Sequence, residues 1–180
     1  EALVLIDEAY HQFWGYSMID GVLAYDNLIV TRTFSKALGL ASARLGYLAS
    51  TAEIVSHLFR TRPMYEVNAF AVSLGIYILT HPEIVAEYVE EIKRARKFLE
   101  EELPKDGFSI IPGFANFALI NVGEREKAAQ IVKGLFNEKV VIKGGFGEAC
   151  MEPYIRVGLG TLEQMKIFIY KFRKVLVDIS

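Results

Sequence analysis

The chain has 180 residues, 52% of them hydrophobic and 23% charged, enough apolar material for one large or two small cores, which excludes disordered and collagen-like classes. Its 20 basic against 22 acidic residues give no reason to expect nucleic acid or a membrane surface as partner. A single cysteine, Cys150, excludes an internal disulfide, and His11, His57 and His81 are too scattered to suggest a metal site; a reducing cytoplasm is the expected compartment.

In chain order, residues 2–6 predict a short apolar strand ending in the acidic pair Asp7 and Glu8. The chain opens at Glu1, without Met, straight into ALVLID, which leads us to expect a piece of something longer. LIVTRT at 28–33 predicts a second strand and RLGYLAS at 44–50 a third. Apolar runs without alternation suggest strands covered on both faces. Ser50 with Glu53 is a capping-box pattern for a helix to about Phe59, stopped by Pro63. The run VNAFAVSLGIYILT is too short to span a bilayer and is broken by Asn68 and Ser73, so 66–79 predicts a buried helix. The first 80 residues therefore read as part of an α/β layer.

The second half changes character. Thr80 with Glu83 forms another capping-box pattern, and Ile84, Tyr88, Ile92, Ala95, Leu99 and Leu103 recur at helical spacing, predicting a long amphipathic helix over 82–103. Strands at 108–111 and 115–122, a helix near 125–137, and strands at 139–143 and 154–158 follow. A final helix opens on the capping box Thr161 to Gln164 and puts Leu162, Met165, Phe168, Phe172 and Val175 or Leu176 on one face. Residues 81–180 then make a small α+β domain after a partial α/β domain at 1–80.

Three positions carry candidate chemistry. Between Asp26 and Glu53 there is no acidic residue, yet Arg32, Lys36 and Arg44 lie there among small and apolar neighbours. Nearby arginines would lower the pKa of Lys36 and suit it to Schiff-base chemistry; an ordinary lysine at a strand-to-helix turn is the alternative. Thr33, Ser35, Arg44 and a helix starting just after Lys36 would together hold a phosphate dianion, which would explain the missing acids. Asp7 ends a strand at the edge where open α/β sheets place ligands. A carboxylate in low dielectric there needs a cationic partner, a ring nitrogen for example, unless it serves as a helix cap or ion-pair residue. Tyr10 either donates to the same ligand or packs with Phe13 and Trp14. Arg156, between Ile155 and Val157, either receives a carboxylate bidentately or pairs with Glu148 or Glu152. The glycines of GGFGEA, 144–149, suit close backbone approach or a flexible connection, and Cys150 reads as a packing residue.

IDEAY, TFSK followed eight residues after its lysine by Arg44 in ASARLGY, and YIRVGLGT resemble, in order and along the whole chain, the fold-type-I pyridoxal-phosphate aminotransferases, most closely the histidinol-phosphate aminotransferase group. The resemblance implies the C-terminal part of a large cofactor domain with a mixed, mostly parallel sheet, followed by a small α+β domain. It implies pyridoxal 5'-phosphate as cofactor, in a Schiff base with Lys36, which then moves the proton at the substrate Cα. Asp7 would keep the pyridine nitrogen protonated, Tyr10 would bond the ring 3-hydroxyl, and Thr33, Ser35 and Arg44 would hold the phosphate. Arg156 would clamp the substrate α-carboxylate. Lys143 stands where the group tends to carry a substrate-binding arginine and would meet a phosphate as a point charge.

The features that full-length relatives carry in their N-terminal half are not found in this sequence, so the resemblance implies a C-terminal segment of a protein roughly twice as long. The implied reaction is transamination between an amino acid, a phosphorylated, histidinol-phosphate-like one included, and a 2-oxo acid, in a cytoplasmic homodimer. The alternatives are decarboxylation of an amino-acid phosphate with the same cofactor, and a truncated, catalytically silent module for dimerisation or interaction.

Overall fold

In a computed structural model, residues 2–64 and 66–179 are described, and the chain divides into two compact units, Glu1–Val89 and Glu90–Ser180. In the first, β1 (Val4–Asp7) pairs in parallel with β2 (Leu28–Thr33), from Val4 opposite Leu28 to Asp7 opposite Thr31. β3 (Gly46–Ala49) runs antiparallel along the other edge of β2, so the sheet is mixed, in the order β1-β2-β3. Only the middle strand has the doubly covered character expected of all three: Leu28, Ile29 and Val30 are buried, whereas Leu3 and Leu5 around the edge strand are 66% and 61% exposed.

Among the described residues, four α-helices belong wholly or partly to this unit. The short α1 (His11–Trp14) ends at Gly15, whose φ of +89° is a left-handed cap. α2 (Ala52–Phe59) is capped by Thr51, which accepts from the Ile54 N–H, and not by Ser50, whose hydroxyl donates to the Leu28 carbonyl. α3 (Ala69–Thr80) is capped by Asn68. It is not the buried helix that its composition predicts: Ala71, Gly75 and Ile78 face the interior while Phe70 is 84% exposed. Thr80 does not cap the next helix, α4 (Pro82–Glu102), because its hydroxyl bonds back to the Ile76 and Tyr77 carbonyls. Phe34, Leu38 and Ile78 form a core cluster with Leu40, Leu45 and Val85 against it. Gly75 lets α3 come this close, since a Cβ there would stand 2.6 Å from Leu45.

The second unit is built on an antiparallel sheet, β4 (Ser109–Ile110), β5 (Phe117–Asn121) and β6 (Tyr154–Gly158), in that order. Strand alternation buries Ala118, Ile120, Ile155 and Val157. α5 (Arg125–Asn137) and α6 (Leu162–Asp178) lie where their patterns predict, with Ile131, Leu135, Phe168 and Phe172 buried. Both halves of the Thr161–Gln164 capping box form, and the Glu91 carboxylate accepts from the Leu162 N–H. The strand expected at 139–143 is reduced to one bridge, Lys143 with Arg156. Its first residues are taken by the end of α5: Lys139 turns left-handed at φ 62°, and the N–H groups of Lys139 and Val140 bond to Phe136 and Leu135 carbonyls, so these two donors are not available to a ladder. Among the described residues no single helix is long and apolar enough to cross a membrane.

Candidate functional sites in the two units

In the first unit, most candidate residues gather at the C-terminal ends of β1 and β2. Asp7 closes β1 opposite Thr31; its Oδ1 accepts from the Ala9 N–H at 3.0 Å and lies 3.5 Å from the Thr31 hydroxyl. It is exposed, not held in the low dielectric that the sequence suggests. The next residues turn into α1, with Tyr10 at its N-cap position. Lys36 lies beyond β2 in a turn whose neighbours Phe34, Ala37 and Leu38 are buried, while Ser35 and Lys36 are half-buried. Among the described residues no helix starts directly after Lys36; the Leu40 N–H bonds to the Phe34 carbonyl at 2.8 Å and Gly39, at φ +72°, closes a turn before a single 3-10 turn at Ala41–Ala43. The turn holds the Lys36 Nζ 5.7 Å from the centre of the Tyr10 ring.

The phosphate-binding candidates border the same turn. The Thr33 hydroxyl accepts from the Ser35 N–H at 3.1 Å. The Phe34 N–H bonds to the Leu45 carbonyl at 3.0 Å, which brings Arg44 alongside the start of the turn. Arg44 is left-handed at φ 52°, ψ 43°, and its Nη1 donates to the Ala41 carbonyl. A non-glycine residue there is uncommon, and such positions cluster at functional sites. Thus a turn and two hydroxyls, not a helix N-terminus, make up the anion-binding candidate.

Sequence reasoning missed Glu8. It is only 7% exposed, and its carboxylate accepts from Ser17, the Met18 N–H and the Nε of Arg32, the last at 3.0 Å. Arg32 also donates to Ser17 and to the Tyr47 hydroxyl. One of the three cations in the acid-free stretch is thus neutralised internally. Burial raises the Glu8 carboxyl, but the hydrogen bonds from Met18, Ser17 and Arg32 outweigh it and hold Glu8 below the ordinary carboxylate range. Burial pushes the His11 imidazole below its ordinary value, and Arg32 adds to that. The network anchors residues 17 and 18 and so closes the loop that carries Tyr10. Alternation was the available signal: one step beyond Asp7 and one step beyond Thr31 lead to the opposite face of the same parallel pair.

In the second unit, Arg156 lies on β6 with its side chain exposed, opposite in direction to buried Ile155 and Val157, as alternation predicts. Neither expected acid partners it among the described residues; Glu152 pairs instead with Arg125 at 3.0 Å. The Arg156 guanidinium lies 5.4 Å from the Phe117 ring centre. Lys143 is its direct neighbour, because the two backbones exchange hydrogen bonds of 2.7 and 3.1 Å, and paired residues project to one face. Gly144 permits this bridge, since a Cβ would stand 2.8 Å from Val132 of α5. Two cations side by side on an exposed face suit a dianion or a pair of acidic groups. Cys150, read as packing, is exposed.

Comparison with known proteins extends the picture. The profile of the family described as aminotransferase class I and II matches residues 1–172. A histidinol-phosphate aminotransferase of Carboxydothermus hydrogenoformans is 34% identical over 97% of this chain and 49% of its own length. A crystal structure of histidinol-phosphate aminotransferase from Sinorhizobium meliloti in complex with pyridoxal-5'-phosphate matches with a TM-score of 0.89 at 25% identity, covering 99% of this chain and 50% of that one. L-threonine-O-3-phosphate decarboxylase from Porphyromonas gingivalis matches at 0.78 and 20% identity, over 96% of this chain and 54% of its own, a likeness of fold alone. The chain spans about half the length of the curated relatives it matches.

Proposed function

The chain belongs to the aminotransferase class I and II family, and from that premise we propose that it carries the lysine-bearing part of a pyridoxal-phosphate-dependent transaminase. Its substrates would be an amino acid or a phosphorylated amine of the histidinol-phosphate kind, and a 2-oxo acid. The observation that carries this reading is the Lys36 turn: a half-buried amine at the strand ends, beside Tyr10, with Asp7 closing the neighbouring strand. Division into a partial large cofactor domain, 1–80, and a small domain, 81–180, belongs to the same reading, as do a homodimer and a cytoplasmic location.

The residues present fit the cofactor's chemistry. When bound, pyridoxal phosphate supplies an electron-withdrawing ring conjugated to the reacting nitrogen. Lys36 would hold the cofactor through its amine and would take and return the proton at the substrate Cα. Asp7 gives a carboxylate to keep the ring nitrogen protonated, and Tyr10 a hydroxyl for the ring oxygen. Thr33, Ser35 and Arg44 offer two hydroxyls and a cationic fork to the phosphate. In the second unit, Arg156 receives the substrate carboxylate and Lys143 a further anionic group.

The test is reductive trapping. Incubation with pyridoxal phosphate should give a visible absorption band that Lys36→Ala abolishes, and borohydride should bleach that band while leaving a stable mass on the Lys36 peptide. A band and adduct that survive Lys36→Ala would overturn the assignment. With the full-length protein, a 2-oxo product from the amino donor identifies transamination, whereas release of carbon dioxide identifies decarboxylation.

A further inference from the structure

Arg96 is a largely buried cation that the proposed chemistry does not use. It lies on α4 between Ile92, Ala95 and Leu99, which are at most 1% exposed, and its own side chain is 11% exposed. Its Nη2 donates to the carbonyls of both Ala115, at 2.7 Å, and Phe117. Its Nη1 makes no hydrogen bond among the described residues and stands 3.8 Å from the nearest Glu100 oxygen. Burial pushes this guanidinium below its ordinary value, so the interaction is costly. An apolar side chain of similar volume would often stabilise such a spot equally well.

What the guanidinium grips is the entry to β5. The Asn116 carbonyl, between the two that Arg96 holds, accepts from the Leu159 N–H at 2.9 Å, just beyond β6. Residues 115–117 are therefore fixed from α4 on one side and from the end of β6 on the other. Phe117 begins β5 opposite Gly158, and its ring is the platform near the Arg156 guanidinium. A long exposed arginine loses rotamer freedom when it captures an anion, and a fixed aromatic platform removes part of that cost beforehand.

We propose that Arg96 is a positioning residue for the Arg156 anion site: by holding the carbonyls of residues 115 and 117, it sets the Phe117 ring that orients Arg156. The proposal rests on the reading of Arg156 as the substrate-carboxylate residue. Arg96 touches no substrate, and its effect passes through the backbone of 115–117.

The test uses the full-length protein loaded with pyridoxal phosphate, with glutamate as amino donor. Arg96→Met should raise KM for glutamate about tenfold, the scale of one lost preorganised contact, while kcat and the absorption of the bound cofactor stay near those of the parent. Arg96→Lys should recover part of the loss. Phe117→Leu should reproduce the KM increase, and the double variant should be no worse than the poorer single one, because both act through one platform. Phe117→Leu and Arg96→Lys decide the matter even if Arg96→Met folds poorly. Additive losses, an unchanged KM in Phe117→Leu, or equal falls in kcat and cofactor absorption would overturn the proposal. Arg156→Gln separates the two levels. If it leaves KM unchanged, the substrate reading falls and this one with it; if it raises KM while Phe117→Leu does not, only the role of Arg96 falls.

Discussion

Arg44 is held left-handed at φ 52°, a conformation that costs a side chain-bearing residue about 1 kcal/mol relative to glycine. If the position were only a turn, glycine would serve it better. Arg44→Gly should therefore keep or raise the thermal midpoint while weakening the binding of pyridoxal phosphate, read by titration of the visible band. Unweakened binding would remove Arg44 from the phosphate site. The Glu8 network makes a prediction about pH. Its lowered carboxyl contributes stability that is present above the unfolded-state value near 4.5 and is lost as pH falls through the lower folded value. His11, also lowered, opposes folding as pH drops below its ordinary value near 6.5. Both act in one direction, so denaturant midpoints should fall from mildly acidic pH downwards. Glu8→Gln, which leaves Arg32 buried without its counter-ion, should cost about 3 kcal/mol at neutral pH and flatten the lower part of that profile. A profile as steep as the parent's would refute the assignment. Lys36, Asp7 and Arg156 were visible in the sequence because each interrupts an apolar pattern. Glu8 and Arg96 were hidden because each looks like an ordinary charge until its partner, 24 or about 20 residues away, is in place.

The elements that the sequence reveals best are those whose signals are local. The box of Thr161 and Gln164 and the apolar stripe of α6 are satisfied within a few turns, and so both survive folding intact. The misplaced caps share a cause: Ser50 and Thr80 have the right side chains, but each hydroxyl donates to a backbone carbonyl instead, Ser50 to Leu28 of β2 and Thr80 to the preceding turn of α3. The strand at 139–143 is shortened because its first two donors, on Lys139 and Val140, are committed to the end of α5. Close helix contacts are also beyond local reading. Gly134 on α5 looks like a poor helix residue, worth about 1 kcal/mol less than alanine, yet a Cβ there would stand 2.5 Å from Val175 of α6. Overpacking costs about 1–3 kcal/mol, so Gly134→Ala should lower the thermal midpoint despite the better propensity. A rise would mean that Val175 can give way and that the glycine has no packing role.

At the scale of the whole molecule, composition and burial disagree in one region. α3 is apolar all round, which ordinarily marks a helix enclosed on every side, yet Phe70, Leu74 and Tyr77 lie along an exposed line of it at successive turns. Leu3 and Leu5 are likewise exposed beside the edge strand β1, which also offers unpaired backbone groups. Composition marks these segments as interior, but among the described residues nothing covers these side chains. Apolar surface of this kind drives association in water. The 180-residue chain should therefore sediment with a weight that rises with concentration. Replacing Phe70 and Leu74 by glutamate should reduce that association without lowering the thermal midpoint of the chain, because neither side chain contributes to its interior. A strictly monomeric parent at every concentration would show that the exposed line of α3 is tolerated in water. A variant that melts early would place Phe70 or Leu74 inside the core after all.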